Sequence, residues 1–138
     1  MSATTRLYRA RHAMGEKVRG EALVAKDAFS ARYDLDRQRG IFSRPTHALA
    51  GQSYVGKVLV LETAKGGVAT AWMLYEMRSR GMAPAALVFN SVNPILAQGA
   101  ALADIAMLAG FDEDITAAIV NGAKVEIDPA ARTIAIIR

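Results

Sequence analysis

Two unbroken apolar runs stand out along the chain, VLVLE at 58–62 and AALVF at 85–89. Runs this short without a polar interruption predict strands covered on both faces. Between them the period changes. Val68, Ala71, Trp72, Leu74, Tyr75 and Met77 recur at three- and four-residue intervals, which predicts a helix from Gly67 to Arg80 with Gly81 as its stop. On this pattern Trp72 belongs to the core. A second helix is predicted over Ile95–Leu108, opened by Pro94 and ended by Gly110. KVRGEALVA (17–25) and FSARYDLD (29–36) have the β-branched, aromatic and alternating character of strands, with Asp34 and Asp36 on a polar face or turn. The segment RQRGIFSRPTHALAGQSYVGK reads as loop, punctuated by Gly40, Pro45, Gly51 and Gly56. DEDITAAIV predicts a short helix with acidic residues in its first turn. AKVEI and TIAII, flanked by Asn121-Gly122 and DPAAR, predict a terminal hairpin.

Residues 1–14 read as a basic N-terminal arm whose order depends on something to pack against, and residues 15–138 as a single domain. The fold class is α/β, with mixed β-sheets and two to three helices in a compact β/β/α arrangement. Only one or two parallel crossovers fit, which argues against a doubly wound nucleotide fold.

Composition narrows the chemistry. At 138 residues and 52% hydrophobic, the chain is sized for one packed core. No apolar run reaches the roughly 18–20 residues of a membrane span, and the basic N-terminus lacks the apolar stretch of a secretory signal. A cytoplasmic location is expected. There is no cysteine, which excludes disulfides and thiolate metal sites on this chain. The two histidines, His12 and His47, lack metal-ligand spacing. The net charge of +4 is concentrated in Arg6, Arg9, Arg11 and Lys17, then Arg32, Arg37, Arg39 and Arg44. No interleaved aromatics or recognition helix accompany it, so it reads as solvated surface facing an acidic partner or anionic substrate, not nucleic acid.

The candidate chemistry lies at Lys65, Gly66, Gly67 and Thr70, where a strand runs into a helix. Free N–H groups at a helix start make an anion site, and glycine lets a ligand approach the backbone. Lys65 adds a charge and Thr70 a hydroxyl. Neither nucleotide fingerprint is complete: the lysine precedes the glycines, and the third glycine of a dinucleotide loop is missing. On spacing alone, a tight turn without a ligand is the competing reading. Ser53 is expected to satisfy local backbone groups, Asn93 to cap the following helix, and Arg78 and Arg80 to suit a helix C-terminus.

The stretch SRPTHALAGQSYVGKVLVLETAKGG resembles the aconitase X small subunit, a swivelling-domain family. The resemblance continues through GEALV, APAALVFNSVNPILAQGA and NGAKVEIDPAARTIAI, in that order. It implies a swivelling β/β/α lid that closes over an active site on an aconitase-like large subunit. The pair then dehydrates a small hydroxy acid. The first substrate to consider is cis-3-hydroxy-L-proline, with mevalonate 5-phosphate as the alternative. The resemblance also implies that no cofactor sits on this chain and that the iron–sulfur cluster belongs to the partner large subunit. Lys65 and Thr70 become the catalytic candidates, and Lys65, Gly66, Gly67 and His47 the substrate-binding ones. Many relatives carry a Gly/Ser-rich run where this chain has Gly67, Val68 and Ala69, which weighs against a phosphorylated substrate. Two other classes remain open: a swivelling binding module without catalysis, and a phosphohistidine-type carrier, for which only His47 is available.

Overall fold

The computed structural model describes residues 6–29, 34–64, 68–91, 97, 99–101 and 103–137. In chain order the strands are β1 (Arg6–Arg9), β2 (His12–Met14), β3 (Val18–Val24), β4 (Ala28–Phe29), β5 (Leu35–Asp36), β6 (Ile41–Phe42), β7 (Val58–Ala64), β8 (Ala86–Ser91), β9 (Ala106–Ala109), β10 (Lys124–Asp128) and β11 (Thr133–Ile136). The helices are α1 (Val68–Ser79) and α2 (Ile115–Ala118), and residues 97 and 99–101 are also helical.

The two apolar runs become β7 and β8, parallel neighbours at the centre of a sheet ordered β1-β11-β10-β3-β7-β8-β9-β2. Both faces of this centre are covered. Leu59, Leu61, Leu87 and Phe89 point to a core shared with Leu74 and Met77 of α1, while Val58, Val60, Ala86 and Val88 point to one shared with Ile115, Val125, Ile127 and Ile134. Alternate residues of one strand therefore serve two cores, and no polar residue interrupts the run.

β3 belongs to both halves of the sheet. Val18 to Glu21 pair antiparallel with β10, and Ala22 to Val24 pair parallel with β7. β4 takes up the same side of β7 further along, Ala28 opposite Thr63. The terminal hairpin forms as β10 and β11.

Residues 6–14 enter the sheet as β1 and β2, pairing with β11 and β9 respectively. These are the two ends of the strand order, yet they are joined only by Ala10 and Arg11, whose N–H groups donate to Arg132 O and Gly110 O, both at 2.7 Å. The sheet curls until its edges nearly meet, which removes the open edges that invite aggregation. The link from β2 to β3 passes close beneath β9. Gly15 sits there at φ 95°, and a Cβ on it would lie 2.7 Å from Ala106 Cα, so only glycine fits.

Expectations change at three segments and at Trp72. The second predicted helix, Ile95–Leu108, stops short, because Ala106–Ala109 is β9. Asp104 at φ 57° closes the helical stretch: its N–H donates to Ala101 O at 3.1 Å, and Ile105 N–H reaches Ala100 O at 2.9 Å. That is a Schellman cap with aspartate in the place glycine usually takes, so the stop carries no glycine signal. Gly81 makes the same pair of bonds after α1, where it was legible. The predicted strand 29–36 is not continuous across its described ends: Phe29 ends β4 and Leu35–Asp36 is β5. The long loop carries β6, and it sends Phe42, Leu49 and Tyr54 into the core.

Trp72 is the clearest correction. It is 65% exposed, whereas Leu74 and Met77 on the same helix are fully buried. The three- and four-residue spacing accommodated Trp72 and Tyr75 as readily as the true inner residues, because the apolar positions of α1 extend around more of its circumference than the core accepts.

Candidate functional site

The C-terminal ends of the parallel strands are where ligands bind in sheets of this kind. β7 ends at Ala64, α1 starts at Val68, and residues 65–67 join them. Lys65, Gly66 and Gly67 lie outside the described residues, as does the side chain of Thr70, whose backbone belongs to the first turn of α1. Asn93 also lies outside them. At the rim, Thr63 and Ser91 pair across β7 and β8. Ser91 Oγ donates to Thr63 Oγ1 at 3.1 Å, and Thr63 Oγ1 donates to Ser91 O at 3.2 Å. Nothing in the sequence brings Ser91 beside Thr63, since 28 residues separate them.

On one side of the rim lies a buried charge network. His47 has a fully buried ring, stacked on Phe42 with centroids 4.6 Å apart. Leu49 N–H donates to Nδ1 at 3.0 Å, so the proton sits on Nε2, which donates to Ala28 O at 2.9 Å. Both ring nitrogens are therefore engaged with backbone, and His47 ties the 44–50 loop to β4. Asp27 and Asp34 stand 3.8 and 3.9 Å from the same ring. Arg44 joins them, with Nε donating to Asp34 at 2.5 Å, Nη2 to Asp27 at 3.4 Å and Nη1 to Thr46 at 2.8 Å.

Asp34 corrects the expectation of a solvent-facing charge. It stands in a turn but is 3% exposed, neutralised by Arg44, whereas Asp36 ends β5 and accepts from the N–H groups of Gln38 and Arg39 in the turn that follows. Burial pushes the Asp27 carboxyl up, but the N–H groups of Ala28 and Ala48 and the Arg44 charge outweigh it, and the net direction is down.

On the other side, Asn90 bridges three groups. Its Nδ2 donates to Glu62 and, at 2.7 Å, to Asp114, while its Oδ1 accepts from Ile115 N–H at 2.8 Å. Asp114 caps α2 through Thr116 N–H and Thr116 Oγ1, and it pairs with Lys26 at 3.0 Å. The Thr116 hydroxyl, the Asn90 amide and the Lys26 ammonium hold its carboxyl well below the usual carboxylate range. Asn90 thus has a structural role, as does Ser53, whose Oγ accepts from Val55 N–H at 3.3 Å.

These two carboxylates give an acid-sensitivity prediction. Both have folded-state values below the unfolded value of about 3.9, so their contribution is complete above that pH and is lost as pH falls toward the folded values. Urea midpoints are expected to stay level from neutral pH to about pH 5 and to decline below about pH 4. Asp114→Asn keeps a capping side chain without the charge, and is expected to flatten that decline. An acid limb of unchanged steepness would assign the loss to other groups.

Among the described residues, no group of three or more His, Cys, Asp or Glu side chains could hold a metal ion, and no helix is long and apolar enough to cross a membrane. The site has hydroxyls, a helix start and a set of charges already committed to one another. Residues 7–136 match the aconitase X swivel domain family. The chain belongs to that family. It is 35% identical over 109 residues to the phosphomevalonate dehydratase small subunit of Methanothrix thermoacetophila, covering 79% of each chain. It is 31% identical over 109 residues to the protein of the same name from Methanococcoides burtonii, covering 79% of this chain and 80% of that one. Among solved structures, a chain of Thermococcus kodakaraensis aconitase X in its holo-form superposes with a TM-score of 0.88 at 28% identity, covering 96% of this chain and 99% of that one. The expected swivelling β/β/α fold is the fold of the family.

Proposed function

We propose that this chain is the small subunit of an aconitase X type dehydratase acting on mevalonate 5-phosphate, and that Lys65, Gly66, Gly67 and Thr70 form its contribution to the active site. The observation that carries the reading is the match to phosphomevalonate dehydratase small subunits over most of both chains. Those names favour the phosphorylated substrate over cis-3-hydroxy-L-proline, the first reading from sequence. One observation still supports the proline derivative: Gly67, Val68 and Ala69 bring no hydroxyl to the helix start, where a phosphate is usually met by several.

Dehydration needs a base for the carbon-bound proton, an acid or metal for the departing hydroxyl, and neutralisation of the carboxylate. This chain has no cysteine, so the iron–sulfur cluster belongs to the large subunit in this reading, which supplies the Lewis acid. Lys65 and the N–H groups of the 65–67 turn hold the anionic group, and the Thr70 hydroxyl donates to the substrate or moves a proton. His47 acts at one remove, as a positioning residue that fixes the loop beside β4.

Purified chain, large subunit and reconstituted complex are to be assayed with both substrates. The expected result is turnover of mevalonate 5-phosphate by the complex and by neither chain alone. Turnover of cis-3-hydroxy-L-proline instead would replace the substrate and keep the reaction class, and turnover by this chain alone would overturn the subunit reading.

A further inference from the structure

We infer that the outer face of α1 is the docking surface for the large subunit, with Trp72 and Tyr75 at its centre. The inference rests on the small-subunit reading above. Trp72 is 65% and Tyr75 48% exposed, and their rings meet edge to face with centroids 6.3 Å apart. The two aromatics pack on each other in water instead of on the core. The helix cannot turn to bury them, because Leu74 and Met77 already fill its inner side. Paired exposed aromatics of this size are unusual on a free surface and are concentrated at the centres of protein interfaces. Among the described residues, the other large exposed apolar ones, Leu7 and Val120, have no such ring partner and are of the scattered kind that needs no explanation.

Two observations select the occupant. The first is position. Trp72 is the fifth residue of α1, close to the helix end that follows the residues assigned to the substrate in the reading above. The second is charge. Arg78 in the last turn of α1, Arg80 just after it and Arg37 of the β5–β6 hairpin lie along this helix, Arg37 and Arg80 both within 3.7 Å of Glu76. The hairpin is fastened beside α1 by Arg37–Glu76 at 3.2 Å and by Arg80 Nη2 donating to Arg37 O at 2.7 Å. Among the described residues, three arginines thus meet two carboxylates here, Glu76 and Asp36, and Asp36 is engaged by backbone N–H groups of its own turn. A second copy of this chain would bring the same positive rim against it. The fitting partner is an apolar cup rimmed by carboxylates, on the large subunit.

Trp72 is the single tryptophan of the chain, which makes the face directly observable. Binding of the large subunit is to be measured for the wild-type chain, Trp72→Ala, the double variant Trp72→Ala/Tyr75→Ala, and the controls Leu7→Ala and Val120→Ala. A fluorinated tryptophan in this chain alone reports burial by NMR. The expected result is a dissociation constant raised about 30-fold or more in the double variant, with the controls at the wild-type value. Wild-type affinity is expected to weaken with salt, and the fluorine signal to shift on binding. Far-UV circular dichroism and urea midpoints are expected to be unchanged, since neither ring supports the core. If the wild-type chain binds no large subunit, the small-subunit reading falls, and this inference with it. If the wild type binds and the double variant binds within threefold of it, the docking face is wrong while the reading stands. Self-association that depends on Trp72, with large-subunit binding unaffected by its removal, would also overturn the assignment.

Discussion

Lys65→Met in the assembled enzyme is expected to lower kcat/KM tenfold to a hundredfold while leaving assembly and the unfolding midpoint unchanged. β7 is the central strand, fully buried over Val58 to Leu61, and its C-terminal end leads through residues 65–67 to the start of α1. α1 is 12 residues long, enough for its first N–H groups and its dipole to favour an anion at that end. No acidic residue lies in its first turn to compete. A lysine in the turn adds a full charge, and closure against the large subunit would remove water and strengthen its hold. A hydrogen bond to a charged group contributes about 1.5–3 kcal/mol, which is the tenfold-to-hundredfold range above. Thr70→Val is expected to affect kcat more than KM, because a hydroxyl that moves a proton matters in the transition state. Steady-state kinetics of both variants in the reconstituted complex decide the matter. Wild-type parameters in both would make residues 65–67 a tight turn and nothing more.

His47→Ala is expected to destabilise the chain by about 3 kcal/mol, the scale reached when a buried hydrogen-bonding residue is removed. The ring is fully buried and makes two backbone hydrogen bonds, so its loss orphans Ala28 C=O and Leu49 N–H together. Each orphaned buried group costs about 1–3 kcal/mol, and water entering the vacated space recovers part of it. The stack on Phe42 is lost as well. Urea unfolding of the isolated chain measures the effect. Kinetics separate bracing from contact: folded His47→Ala complex is expected to keep kcat within about threefold of wild type, since the ring reaches the substrate only through the loop it holds. An unchanged midpoint with a collapse in kcat would place His47 at the substrate.

The legible part of the fold was its centre. VLVLE and AALVF, read as strands from their short unbroken runs, are strands buried on both faces, and Gly81 marked a real helix end. The second helix was overextended for a definite reason: Asp104 performs a glycine's task in the left-handed region, and the AMLA run after it has no period that distinguishes a buried strand from a buried helix. Of the candidate site, the described residues give only the approach, β7 ending at Ala64 and α1 starting at Val68, with Lys65, Gly66 and Gly67 outside them. What surrounds it was not legible. Asp27, Asp34, Arg44 and His47 form one network only because the 44–50 loop folds back onto β4, and Ser91 meets Thr63 only because β7 and β8 pair in that register.

By itself, the sequence determined which segments had to be buried, where α1 had to stop, that no thiolate chemistry was available, and that the resemblance pointed to a lid. The first three follow from local composition and period, and the lid only from the resemblance. Tertiary structure decided everything that depends on partners distant in the chain. It gave the basic N-terminal residues a place at both ends of one curling sheet, by pairing them with strands about a hundred residues later. It turned Asp34 from a surface charge into a buried one, because Arg44 neutralises it at 2.5 Å. It placed Trp72 in solvent, because the core had room for one side of α1 and Leu74 and Met77 already occupied it.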